Sequence, residues 1–383
     1  MSPRQGNGAG EPVNSGLLNQ RPSAWLIVWL CGCLLLIAGC QPADSVQRGH
    51  RGTGMVQVYD GSYAAKAVDE NQIPEPEPVD EIEPDTPLAG EIHKNVQVLN
   101  DLNVLEFSRL MQAITTWVSP EEGCEFCHNP KNLASDEKYA KVVARRMLVM
   151  TREINTKWQS HVADTGVTCW TCHRGQAVPS GDWFKHPGES IAGQNIIGNR
   201  GQQNTAGVLA VGNSSLPYDP LSTYLNTEAP SIRVQGTEAL PTGNRQSIRQ
   251  AEFSYGLMIY MSQSLGVNCT YCHNTRALAA WDQSSPQRVT AWYGIRMVRD
   301  LNVNYLNPIG PLLPAHRLSP EGDNPKVACL TCHKGAYKPM FGKSMLNDYP
   351  ELRGPIVRSA APAAPVAPAV PAAPASSAAV AKR

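Results

Sequence analysis

Four segments of this 383-residue chain repeat one order of side chains, Cys-x-x-Cys-His. They are Cys124-Glu-Phe-Cys127-His128, Cys169-Trp-Thr-Cys172-His173, Cys269-Thr-Tyr-Cys272-His273 and Cys329-Leu-Thr-Cys332-His333. Two thiols at this spacing can form thioethers to the two vinyl groups of one haem. The imidazole that follows at once lies under the iron and supplies its proximal ligand. The chain is therefore expected to carry four covalently attached c-type haems. Their attachment sites are Cys124 and Cys127, Cys169 and Cys172, Cys269 and Cys272, and Cys329 and Cys332. Their proximal ligands are His128, His173, His273 and His333. Two Cys-x-x-Cys pairs can instead make a tetrahedral zinc site, but zinc does not require a histidine directly after every second cysteine.

Of the 11 cysteines, only Cys31, Cys33 and Cys40 fall outside these motifs, in or at the end of one N-terminal apolar segment. No cysteine is left over for a structural disulfide in the folded part. An exported chain with that usage spends its thiols on a cofactor rather than on staples.

The elements that must hold the motifs read as helices and loops. Val104, Phe107, Met111, Ile114 and Val118 recur at helical spacing before the first motif. Val143, Met147, Met150 and Ile154 do so between the first and second, and Met258, Met261 and Leu265 before the third. Residues 287–301 form a plausible helix after Pro286. Alternating strand patterns are scarce. The chain also repeats itself. Gly123-Cys-Glu-Phe-Cys-His-Asn129 matches Asn268-Cys-Thr-Tyr-Cys-His-Asn274, and Val167-Thr-Cys-Trp-Thr-Cys-His-Arg-Gly175 matches Val327-Ala-Cys-Leu-Thr-Cys-His-Lys-Gly335. The fold class expected is mainly α: a multihaem c-type cytochrome of two pseudo-symmetric dihaem halves joined by long irregular loops.

A low-spin haem needs a second axial ligand, and methionine raises the potential relative to histidine. The histidines beyond the proximal four are His50, His93, His161, His186 and His316. Four bis-histidine haems would need four of these five, so mixed ligation with several methionines is favoured. Met111, Met147 and Met258 lie on the predicted helices near motifs, and Met150, Met261 and Met297 compete with them. A methionine on a helix stripe often only packs.

The N-terminus carries Arg4 and Arg21 and then an apolar run over 25–38. That run is short for a membrane span and suits a signal-peptide core. It ends in Leu36-Ile37-Ala38-Gly39-Cys40, the form of a bacterial lipoprotein signal, so Cys40 is the expected lipidation site, with two hydrophobic groups for stable anchoring. The formal net charge is zero and gives no basic bias toward nucleic acid. Residues 69–91 are acidic and proline-rich and read as an extended linker. Beyond Pro355 the chain is a low-complexity Ala/Pro/Val tail. The expected organisation is a signal peptide (1–39), an anchor segment and acidic linker (40–92), a first dihaem half (93–178), an irregular connection (179–243), a second dihaem half (244–355) and the tail (356–383).

With these residues in view, the chain resembles the tetrahaem cytochrome c subunits of purple bacterial photosynthetic reaction centres. The resemblance is carried by Arg51-Gly-Thr-Gly-Met-Val-Gln-Val-Tyr59, by residues 95–128, by Trp292-Tyr-Gly-Ile-Arg-Met-Val-Arg-Asp-Leu-Asn302, and by Lys338-Pro-Met-Phe-Gly342 with Asp348-Tyr-Pro-Glu-Leu352. It implies Met111, Met147 and Met258 as sixth ligands of the first, second and third haems. It implies His161, from the other half, as sixth ligand of the fourth, with Met297 as a packing counterpart of Met147. It further implies an electron carrier without enzymatic chemistry, lipid-anchored at the periplasmic face of the photosynthetic membrane. The carrier would be docked on the L and M subunits and would re-reduce the photo-oxidised special pair. A soluble periplasmic cytochrome c or high-potential iron–sulfur protein would supply electrons, which run from first to second to fourth to third haem. A multihaem oxidoreductase would need an iron with an open position, and a quinol-oxidising multihaem cytochrome would need more histidines and a retained membrane helix.

Overall fold

The computed structural model describes residues 44–47, 56–59, 61–79, 81–185, 219–227, 231–234 and 246–355, with residues 29 and 216 besides. The signal peptide with Cys31, Cys33 and Cys40, the segment 51–55, His50 and His186, most of the connection 179–243 and the tail 356–383 lie outside the described residues.

The fold is mainly helical, as the periodicities require. Strands β1 (Asp44–Gln47) and β2 (Val56–Tyr59) pair in the one two-stranded sheet found among the described residues. Helix α1 (Gly61–Glu70) follows. Helix α2 (Val104–Val118) starts at Asn103, whose side chain accepts from the amides of Leu105 and Glu106 while Glu106 accepts from the Asn103 amide. This reciprocal cap satisfies amides that a helix start otherwise leaves open. Helix α2 is apolar on two faces. Leu110, Ala113 and Trp117 are buried in a core, while Phe107, Met111, Ile114 and Val118 are only partly covered.

Helix α3 (Tyr139–Lys157) runs between the first two motifs, and the short α4 (Gln159–Val162) after it carries His161. The second motif is itself a helix, α5 (Cys169–His173). After the short α6 (Pro220–Leu225), helix α7 (Ile248–Leu265) opens on a Ser247/Gln250 capping box and ends at Gly266. Gly266 has φ +62°, and a Cβ there would lie 2.0 Å from the Gly335 carbonyl oxygen. Glycine alone meets both conditions, and the close approach brings α7 onto the exit of the fourth motif. Helix α8 (Pro286–Leu301) begins with proline in its first turn, as expected, and α9 (Cys329–His333) is the fourth motif.

Among the described residues two apolar cores hold these elements, and neither is confined to one half of the sequence repeat. The first joins Leu99, Leu102, Leu110, Ala113, Trp117 and Leu148 to the C-terminal residues Met340, Met345, Leu346, Tyr349 and Leu352. The second joins Ile154 and Val167 of the first half to Leu257, Tyr260, Ile295, Met297 and Val298 of the second. Each half therefore completes its burial with residues of the other.

The proline-rich stretch is extended but fastened. A proline-rich run leaves carbonyls that its own few amides cannot pair, and Arg109 takes two of them, donating through Nε to the carbonyls of Glu77 (2.9 Å) and Pro78 (3.0 Å). The Glu77 amide donates to the Tyr349 hydroxyl. At its start, buried Asn71 donates to the carbonyls of Ala67 and Lys334 and accepts from the Met340 amide. A segment that reads as a spacer is thus a strap across both halves.

Candidate functional site

The two halves repeat each other in hydrogen bonds as well as in sequence. His128 Nδ1 lies 3.1 Å from the carbonyl oxygen of Leu133, and His273 Nδ1 lies 3.2 Å from that of Leu278, five residues on in both cases. His173 Nδ1 lies 2.8 Å from the Gln176 carbonyl and His333 Nδ1 2.9 Å from that of Ala336, three residues on in both. A carbonyl oxygen only accepts, so each Nδ1 must carry the proton. Each Nε2 is then left with a free lone pair, the form in which imidazole binds a metal. All four motif histidines are prepared in this way by their own loops.

His161 is prepared likewise. Its Nδ1 donates to the Thr290 carbonyl on α8 (2.9 Å), and its ring centroid lies 6.1 Å from that of His333. Two imidazoles bonded on opposite sides of one metal, each at about 2 Å through nitrogen, would hold their ring centroids about 6 Å apart. Burial lowers the pKa of both rings. For His333 the value falls to about 4, through burial first and the neighbouring His161 second. Burial also lowers the pKa of His173 and His273. Neutral imidazole is the ligating form.

Further paired bonds fix the frame around the motifs. The Thr168 and Ala328 amides donate to the hydroxyls of Thr171 and Thr331, each at 2.9 Å. The Gly175 amide donates to the Trp117 carbonyl on α2 (2.8 Å), and the Gly335 amide to the Ser264 carbonyl on α7 (2.9 Å). These last two bonds equate α2 with α7 at an offset of 147 residues. At that offset Leu110-Met111 coincides with Leu257-Met258, and both leucines are fully buried. Met261 coincides with Ile114, which cannot bind iron. The duplication therefore favours Met111 and Met258 over Met261.

The cysteines flank these histidines. Burial pushes the thiols of Cys127 and Cys272 up to about 11 and those of Cys169 and Cys329 up to about 12. One expectation fails here: the sequence left no cysteine for a disulfide, yet Cys172 and Cys332 are bonded to each other, with Cα atoms 4.4 Å apart. Helices α5 and α9 pack together, and spacing along the chain could not reveal that meeting of the second and fourth motifs. A sulfur bonded to sulfur cannot also bond a vinyl carbon, so this pairing and the expected thioethers at Cys172 and Cys332 are alternatives.

The surroundings fit a porphyrin. Leu133 and Leu278, whose carbonyls hold His128 and His273, are exposed apolar side chains at matching positions, and the aromatic side chains of Tyr337 and Phe341 near the fourth motif are exposed as well. Exposed apolar surface at the rim of a ligating histidine suits a flat apolar ligand. Arg174 and Lys334, directly after His173 and His333, adopt left-handed φ of 50° and 49°. Two nitrogens of the Arg174 guanidinium, Nε and Nη1, are buried with no partner. Buried cationic donors of this kind suit anionic substituents such as haem propionates. Among the described residues no three His, Cys, Asp or Glu side chains converge on a metal position.

The family model described as the photosynthetic reaction centre cytochrome C subunit matches residues 40–353. The chain is 51% identical to the photosynthetic reaction center cytochrome c subunit of Rubrivivax gelatinosus over 331 residues, covering 86% of this chain and 89% of that protein. It is 47% identical to the protein of the same description from Thermochromatium tepidum (83% and 78% covered) and 40% identical to that from Roseobacter denitrificans (84% and 89% covered).

Proposed function

Since the chain belongs to the family of photosynthetic reaction centre cytochrome c subunits, we propose that it holds four c-type haems and passes electrons from soluble periplasmic carriers to the reaction centre. It is an electron carrier, the donor to the special pair, rather than an enzyme. As a reaction-centre subunit it is associated with the membrane. Among the described residues no helix is long and apolar enough to cross one.

The observation that carries the haem assignment is the common state of the five histidines: Nδ1 tied to a carbonyl, Nε2 free. Cys124 and Cys127 with His128 and Met111 would hold the first haem, and Cys169 and Cys172 with His173 and Met147 the second. Cys269 and Cys272 with His273 and Met258 would hold the third. Cys329 and Cys332 with His333 and His161 would hold the fourth, in keeping with the 6.1 Å ring separation. Each haem supplies a one-electron ferrous/ferric couple. The protein's part is to fix the axial atoms, exclude water and set each potential through ligand, burial and nearby charge. The meeting of α5 and α9 sets the second and fourth attachment sites side by side, which favours short transfer between them.

We also assign Cys40 as the lipid anchor, the periplasmic face as the location, the L and M subunits as the docking partners, and a small cytochrome c or high-potential iron–sulfur protein as the soluble donor. One mass spectrum tests the covalent part. The mature chain should begin at Cys40 and carry acyl groups and four haem masses; three haems, or an unmodified Cys40, would remove the corresponding assignment. The functional test is a single saturating flash on source membranes with the haems reduced. Haem oxidation should match re-reduction of the special pair in time. Pair oxidation with no haem signal would overturn the electron-donor reading.

A further inference from the structure

Residues 141–155 and 288–302 form a repeat that the motifs alone do not display. Val142 coincides with Val289, Ala144 with Ala291, Met150 with Met297, Arg152 with Arg299 and Asn155 with Asn302. Hydrogen bonds fix this register independently. Asn155 accepts from the Val167 amide and donates to the Val167 carbonyl, and Asn302 does the same to Val327. Met297 is therefore the counterpart of Met150, not of Met147 as the resemblance implied. Both Met150 and Met297 pack on the second core. The counterpart of Met147 is Gly294.

Gly294 is where His161 enters. A Cβ built at position 294 would lie 2.5 Å from His161 Cε1, 2.8 Å from Nδ1 and 3.1 Å from Nε2. The imidazole thus occupies the volume that any side chain at 294 would claim. The ring is pinned there by the Thr290 carbonyl, one turn earlier on α8, and it faces His333.

We infer that Gly294 decides which side chain ligates the fourth haem. In the first half, α3 presents a thioether from position 147. In the second half, glycine removes the competing side chain, and the other half supplies imidazole in its place. Gly294 is a positioning residue: it touches the ligand and not the iron. The inference rests on the assignment of His161 as sixth ligand of the fourth haem.

Three variants of the haem-loaded subunit, matured in its photosynthetic host, test both levels. The readouts are low-temperature electron paramagnetic resonance and a spectroelectrochemical titration. His161→Ala should convert one of four haems from low to high spin. If all four stay low-spin, His161 is not a ligand and the inference falls with that assignment. His161→Ala/Gly294→Met should restore the low-spin state with methionine in place. The restored haem should titrate above the native fourth haem by at least tenfold in its equilibrium, about 59 mV for one electron. A double variant as high-spin as His161→Ala would overturn the role of Gly294 and leave His161 in place. Gly294→Ala keeps a good helix former and crowds only the imidazole. One bis-histidine signal should shift, and four unchanged signals would also overturn the inference.

Discussion

Replacing Met258, the proposed sixth ligand of the third haem, with histidine should lower the midpoint potential of that haem by at least about 60 mV, a tenfold change in its one-electron equilibrium, and leave the other three proposed haems in place. A thioether sulfur stabilises ferrous iron relative to a second imidazole, so exchanging sulfur for nitrogen favours the ferric state. Met258 is singled out because the duplication matches it to Met111, behind the same buried leucine, whereas Met261 matches Ile114. Met261→Leu is the control and should leave all four potentials unchanged. In a redox titration, four unmoved potentials for Met258→His would remove Met258 from the ligand set. If the third haem is the one nearest the special pair, the variant also separates two rates. Haem oxidation after a flash does not slow, because the driving force toward the pair has grown. Refilling of that haem slows, because its neighbours now face an uphill step.

The second large effect is on stability. Asn302→Leu should destabilise the subunit by about 2 kcal/mol or more, because it leaves the Leu225 carbonyl and the Val327 amide without partners at about 1–3 kcal/mol each, while the Val327 carbonyl keeps the Trp183 indole N–H. The Asn302 amide donates to the carbonyls of Leu225 and Val327 at 2.9 Å each, and its oxygen accepts from the Val327 amide at 2.8 Å. Leucine keeps the volume and removes every one of these bonds. A denaturation midpoint followed by far-ultraviolet circular dichroism reads the loss. A midpoint within error of the native one would show that water or relaxation satisfies those groups. Asn155→Leu should behave in the same way, since Asn155 bonds Val167 twice and the Leu352 carbonyl once.

Much of the site was legible before any coordinates. The four Cys-x-x-Cys-His motifs, proposed as attachment sites and proximal ligands, are legible because adjacency along the chain is what the attachment chemistry demands. The helices that carry Met111, Met147 and Met258 were visible because apolar spacing survives on faces that pack. The disulfide between Cys172 and Cys332 was not legible, because it depends on two motifs 160 residues apart meeting across the halves. Nor was the packing of the C-terminal residues Met340 to Leu352 into the first core, since that burial is a long-range event with no local period. The register of Met297 with Met150 is legible too: Arg152-Glu-Ile-Asn155 and Arg299-Asp-Leu-Asn302 stand in plain register, which sets Gly294 of α8 opposite Met147. That His161 packs against this glycine is not legible. A deletion of side chain leaves no chemical signature in sequence; its meaning appears only when another group is found in the space.

The sulfur-to-sulfur meeting of the second and fourth motifs bears on how the molecule is made. Thioether formation needs Cys172 and Cys332 as free thiols, and a chain whose halves close first puts those two thiols within bonding reach of each other. In an oxidising compartment that encounter ends in a bond that only a reductant reopens. If both motifs take haem, loading competes with closure, and the second motif should be loaded before the fourth docks on it. The second cysteine of each motif would then act as a checkpoint: a subunit oxidised there must be reduced before it can be loaded, and a subunit already bonded to haem there is free to close.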